Sequence, residues 1–145
     1  MIRINSAINP KNLTDQHLLA EIRELPRIFT AVNKRISQDK SFNDIPEKFT
    51  LGTGHVKFFY DKCGFLASRH VALRSEYLDR YGKQYDFDPN KSVVLESLFN
   101  DYTPTQEEKE LLIERISTRV TESKQIPKYY GKSITKEQAV EILNR

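Results

Sequence analysis

An all-α fold is what the hydrophobic spacing of this chain predicts, and three observations carry that expectation. Leu18, Ile22, Leu25, Phe29, Val32 and Ile36 recur at intervals of 4-3-4-3-4, which places them on one helical face. Phe59, Cys63, Leu66, His70, Leu73 and Tyr77 repeat the same intervals. Thr105 with Glu108, and Thr135 with Gln138, have the threonine-to-acid-or-amide spacing of a capping box. No segment is expected to form a strand. The expected architecture is a single compact domain of three main helices, with short helices and an aromatic, basic C-terminal segment.

Taken in order, residues 1–13 read as an arm, with Asn9-Pro10 marking a turn. Thr14 caps a first helix expected to run to residue 36, with Pro26 inside it. An internal proline removes a hydrogen bond and bends the axis at a cost of about 3 kcal/mol. Residues 37–50 form a polar loop broken by Pro46, and Gly52 with Gly54 permits a tight turn. The second helix is expected over 55–80 and stops at Gly82. His70 lies in its apolar stripe and reads as a core histidine rather than a metal ligand. Residues 83–103 are loosely patterned, and Val93, Val94, Leu95, Leu98 and Phe99 make either a short helix or an ordered loop. A third helix over 106–124 buries Leu112, Ile113, Ile116 and Val120, with Arg115 and Arg119 beside that stripe. Pro127-Lys128-Tyr129-Tyr130-Gly131-Lys132 ends it, and a short helix closes the chain at about residue 143. The expected division is a helical region over 1–134 with 135–145 as an extension of the same domain.

At 145 residues the chain is large enough for one real core. Its 38% hydrophobic and 30% charged residues read as soluble and globular, and no apolar run reaches membrane-spanning length. The single Cys63 cannot form an internal disulfide; it suits a reducing compartment such as the cytoplasm and reads as a small buried hydrophobe. A net charge of +3 permits contact with nucleic acid without demanding it.

Two clusters carry chemistry. Arg23, Glu24 and Arg27 gather beside the first stripe, with His17 two turns before Glu24. They read either as a solvated face of i,i+3 and i,i+4 pairs or as a carboxylate aimed by two guanidiniums next to a bend. Lys128-Tyr129-Tyr130-Gly131-Lys132 offers either phosphate-binding charge with stacking surface or tyrosines packed on the core.

The run Asp15-Gln16-His17-Leu18, with Ala20-Glu21 and Arg23-Glu24-Leu25-Pro26-Arg27, resembles the phage-type pyrimidine-dimer DNA glycosylases. Arg3-Ile4-Asn5, Leu51-Gly52, Gly54-His55-Val56, Phe58-Phe59-Tyr60-Asp61-Lys62 and Lys128-Tyr129-Tyr130-Gly131-Lys132 agree in the same order, over about residues 2–134. The resemblance implies an enzyme that excises ultraviolet photoproducts from duplex DNA and nicks the abasic strand, with no metal or organic cofactor; a monomer is expected. It implies that the N-terminal α-amine attacks the sugar and forms a Schiff base, with Glu24 stabilising the cationic intermediate. Arg3, Arg23 and Arg27 would hold phosphates and the lesion strand. Arg115, Arg119 and His17 match basic positions of the same site, and Lys128, Tyr129, Tyr130, Gly131 and Lys132 would lie along the groove.

One position departs. The family pattern has threonine where this chain has Ile2, and methionine is ordinarily removed only before a small residue. Met1 is therefore expected to remain, which moves the amine out by up to about 3.8 Å. Either Met1 or Ile2 carries the nucleophile, or the chain is a lesion- or structure-binding relative with weak chemistry.

Overall fold

Pro26 decides how the first stripe folds. A helix running through residue 26 needs an amide there to bond the carbonyl of Ile22, and proline has none. Two helices replace the one expected: α1, Asp15–Glu24, and α2, Pro26–Ser37. Pro26 takes the first position of α2, where a missing amide costs nothing. The orphaned Ile22 carbonyl accepts instead from Nε2 of His70 at 2.8 Å. His70 is fully buried, so the expected core histidine has a definite task, supplying the bond that proline removes.

The computed structural model describes residues 2–88 and 95–145. The second stripe breaks as well. A single turn, α3, His55–Phe58, is followed by non-helical residues before α4, Cys63–Tyr81, begins. In the gap Lys62 pairs antiparallel with Phe99, and the Phe65 amide donates to the Asn100 carbonyl at 3.0 Å. Gly64 permits this approach, because a Cβ there would stand 3.0 Å from the Asn100 oxygen and 3.1 Å from that of Phe99. Periodicity conceals the break: Phe59, Cys63, Leu66, His70 and Leu73 are all buried on either side of it.

The chain forms two interleaved units. The first holds the described residues of Met1–Ile4, Glu21–Val71 and Asp86–Thr103. Its core is aromatic, with Phe49, Phe58, Phe59, Phe65 and Tyr102 meeting mostly edge to face. It also contains an ion pair in which Arg69 donates to both oxygens of Glu21 at 2.8 and 3.0 Å, well out of solvent. Burial, with a smaller contribution from Asp61, pushes the Cys63 thiol up to about 12, as suits a small buried hydrophobe. Of the loosely patterned region, Glu96–Leu98 is a 3-10 turn with Leu98 buried, and Val93 and Val94 lie outside the described residues.

The second unit holds Asn5–Ala20, Ala72–Tyr85 and Pro104–Arg145. Its helix α5, Gln106–Glu122, begins at the expected capping box, with Thr105 and Glu108 bonded reciprocally at 3.2 Å. Leu112, Ile116 and Val120 are buried and Ile113 is half-buried. The helix ends two residues before the expected 124, where Lys136 Nζ donates to the carbonyls of Thr121 and Ser123 at 2.8 and 2.7 Å.

The segment after α5 corrects the expectation of no strands. Strand β1, Lys128–Tyr129, pairs antiparallel with β2, Lys132–Ser133. Tyr130 and Gly131 form the turn at φ 52° and 77°, the two left-handed residues that a tight hairpin needs. A tyrosine resists that conformation. The Asp15 carboxylate compensates by accepting from the Tyr130 and Gly131 amides at 3.1 and 2.8 Å. Two-residue strands are too short to show alternation, so no sequence pattern announces them. The final helix α6, Lys136–Leu143, starts from its own capping box and buries Ala139, Ile142 and Leu143.

Arg80 ties this unit together. Its side chain is wholly buried and pairs with Asp15 at 2.9 Å and Glu76 at 2.8 Å. It also donates to the carbonyls of Pro10 and Leu13 at 3.0 and 2.8 Å. The rings of Tyr129 and Tyr130 lie 4.8 and 4.9 Å from its guanidinium. Tyr130 donates its hydroxyl to Glu76 at 2.8 Å. Burial first, and then that bond, push the Tyr130 phenol up to about 12, and burial chiefly does the same for Tyr81. An unfolded tyrosine titrates near 10, so the folded state holds both protons more tightly. Their contribution to stability is fully present below about pH 10 and is lost as pH rises toward 12. Thermal melts read beside tyrosinate absorbance should show melting temperature falling across that window; a flat profile would mean that folding holds neither phenolic proton more tightly.

Candidate functional site

Arg23, Glu24 and Arg27 surround the proline break. Glu24 is the last residue of α1, and Arg27 is the second of α2. Each stands at the wrong helix end for its charge, an acid at a C-terminus and a base at an N-terminus. Arg23 and Arg27 are exposed and Glu24 is half-buried. Among the described residues none of the three makes an ion pair or a side-chain hydrogen bond. No i,i+3 or i,i+4 pair forms among these three described residues, and both guanidiniums face solvent.

The described part of residues 1–4 belongs to the same unit, and the rest of the arm to the second. Ile2 and Arg3 are half-buried, and the Arg3 Nε is buried with no partner among the described residues. Ile4 is fully buried and donates its amide to Nε2 of His55 at 3.0 Å. Met1, the alternative nucleophile position, lies outside the described residues.

The other expected site residues fall in the second unit. The Thr14 hydroxyl accepts from the His17 amide at 3.3 Å and meets the ring Nδ1 at 2.8 Å. His17 thus works as the reciprocal partner of the helix cap, seven positions before Glu24. Arg115 donates to the Asn5 side chain at 3.4 Å, and Arg115 and Arg119 are both half-buried along α5. Lys128, Gly131 and Lys132 are exposed on the hairpin. Tyr129 donates to the Lys11 carbonyl at 2.9 Å, and both tyrosine rings turn to Arg80. The tyrosines therefore hold the hairpin, while its lysines face outward.

Sequence reasoning missed Asp15, Glu76 and Arg80 as one network, and His55 as the partner of the arm. His55 stood inside a matching block, Gly54-His55-Val56, but its partner lies 51 residues away. Among the described residues no group of three or more His, Cys, Asp and Glu side chains is placed to hold a metal ion. No helix among them is long and apolar enough to cross a membrane.

Comparison with known families adds one finding. A family model matches residues 1–91, and it describes DNA glycosylases, enzymes of DNA repair. The chain belongs to the pyrimidine dimer DNA glycosylase family. The matched residues include Arg3, His17, Arg23, Glu24, Arg27 and His55, whereas Arg115, Arg119 and the hairpin lie beyond them.

Proposed function

We propose that the protein excises ultraviolet photoproducts through its N-terminal α-amine and then nicks the abasic strand as a lyase. The observation that carries this reading is the Arg23, Glu24 and Arg27 cluster, whose charges find no partner among the described residues and sit at the proline break. An α-amine titrates near 8, against about 10.4 for lysine, so an appreciable fraction is neutral at pH 7. A guanidinium beside it would lower it further. The amine lone pair bonds to the sugar C1′ while the bond from C1′ to the base breaks. The base leaves with that electron pair and takes up a proton, and the new ammonium loses one. Ring opening, with a proton delivered to O4′, leaves a protonated imine. Loss of a C2′ proton then expels the 3′ phosphate with the C3′–O electron pair, and water hydrolyses the imine to return the amine.

Glu24 faces the cationic stages and moves protons. Arg3, Arg23 and Arg27 hold phosphates and the lesion strand, with His17 stiffening the helix that carries Glu24. Arg115, Arg119, Lys128 and Lys132 bind the duplex backbone, and the protein works as a monomer in the cytoplasm on damaged or abasic DNA, without metal or organic cofactor. Replacing both Arg115 and Arg119 by alanine should flatten the slope of log affinity against log salt by roughly 0.9 for each phosphate the variant no longer neutralises. An unchanged slope would remove α5 from the interface.

Ile2 favours a second reading, a lesion-binding module with weak chemistry, because it departs from the family's threonine. Borohydride trapping on an abasic duplex separates the two. The expected result is a covalent adduct on the first residue of the mature chain, whose identity intact mass establishes, and its loss after selective N-terminal acetylation. An adduct on a lysine such as Lys128 would refute the amine mechanism, and no adduct would leave the binding module standing.

A further inference from the structure

Residues 2–5 belong to no helix or strand, so no backbone ladder fixes the arm. At Ile4 its backbone is tied by an imidazole. The Ile4 amide donates to His55 Nε2 at 3.0 Å, with Ile4 and His55 at 0% and 2% exposure. The other ring nitrogen, Nδ1, lies 2.9 Å from the Thr50 carbonyl oxygen. A carbonyl only accepts, so Nδ1 carries the proton and Nε2 presents a lone pair to the arm. The ring plane is locked by Phe49 and Phe59, which meet it at 85° with centroids 5.6 and 5.5 Å away. Gly54, at φ 89°, turns the chain into α3 so that His55 enters at its first residue.

We infer that His55 is a positioning residue for the N-terminal nucleophile, its neutral Nε2 anchoring the arm at Ile4 and so fixing where the chain's first amine stands. The inference rests on the amine reading above. From Ile4 the first residue of the chain lies at most about 10 Å away along an extended backbone. Loosening the backbone at Ile4 is passed on to an amine so few residues away, and misplacement of about 1 Å is enough to cost 100-fold in rate. A histidine that merely filled the core would affect stability without separating chemistry from binding.

Three proteins test this: the wild type, His55→Leu, which lacks the acceptor, and His55→Gln, whose carboxamide oxygen can replace it. Each is assayed for first-order borohydride trapping at saturating abasic duplex, for duplex affinity and for thermal stability. Trapping should fall about 100-fold in His55→Leu with affinity changed less than twofold, and should recover most of that loss in His55→Gln. Should His55→Leu fail to fold, replacing Ile4 by its α-hydroxy acid removes the donor alone and keeps the buried side chain; it should slow trapping likewise. Trapping at the wild-type rate in either acceptor-less or donor-less protein overturns the inference, as does a loss in His55→Gln equal to that in His55→Leu. If the wild type forms no adduct at its first residue, the amine mechanism fails and the positioning role falls with it. In the first case the wild-type adduct is present, so the two failures are distinguishable.

Discussion

Glu24→Gln should leave the protein bound to damaged duplex while strand cleavage drops by about 10²–10³-fold. The substitution keeps shape and removes the charge that must face a cationic sugar–amine intermediate, an interaction strongest in the transition state. Fold stability should not fall with it. Glu24 makes no side-chain bond among the described residues and ends α1, where a carboxylate opposes the helix dipole. Thermal melts of the variant should therefore match the wild type or exceed it slightly. Cleavage within a few-fold of wild type would reduce Glu24 to a surface charge.

Arg80→Ala should have the opposite profile, a large loss of stability from a residue with no part in the proposed chemistry. The arginine side chain is wholly buried between two carboxylates, Asp15 and Glu76, and also serves the carbonyls of Pro10 and Leu13. Removing one partner from such a cluster typically costs 3–5 kcal/mol, because the charges that remain are buried and unpaired. For a chain of this size that corresponds to a fall in melting temperature of roughly 6–20 °C. Arg80→Lys should rescue little, because an ammonium cannot reproduce the planar fork that reaches both carboxylates. A loss below about 1 kcal/mol in calorimetry would mean that Asp15 and Glu76 find other partners.

Local chemistry was legible in the sequence, and distant pairing was not. The apolar stripes, the capping boxes at Thr105 and Thr135, and the burial of Cys63 and His70 all follow from residues within a few turns of one another. The breaks at Leu25 and at residues 59–62 were hidden because helical phase survives them. The hairpin was hidden because its turn depends on Asp15, 115 residues before Tyr130. The candidate site divides in the same way. Arg23, Glu24 and Arg27 are neighbours along the chain and were readable as a cluster, whereas the service of His55 to Ile4 needs the fold. That the two tyrosine rings also pack on Arg80 was not legible, because the sequence shows two rings between lysines and says nothing of an arginine 49 residues before the first of them.

The bond from His70 to the Ile22 carbonyl makes two distant positions epistatic. Pro26→Ala would create an amide that competes with His70 for that carbonyl, so the helix could straighten and strand a buried imidazole donor. Loss of His70 alone would strand the carbonyl while proline still forbids its repair. Each single change therefore damages something the other keeps intact, and the double change removes the conflict. Their free energies should not add. In descent, the two sites form one unit of inheritance: a lineage that abandons the proline has reason to abandon the histidine as well.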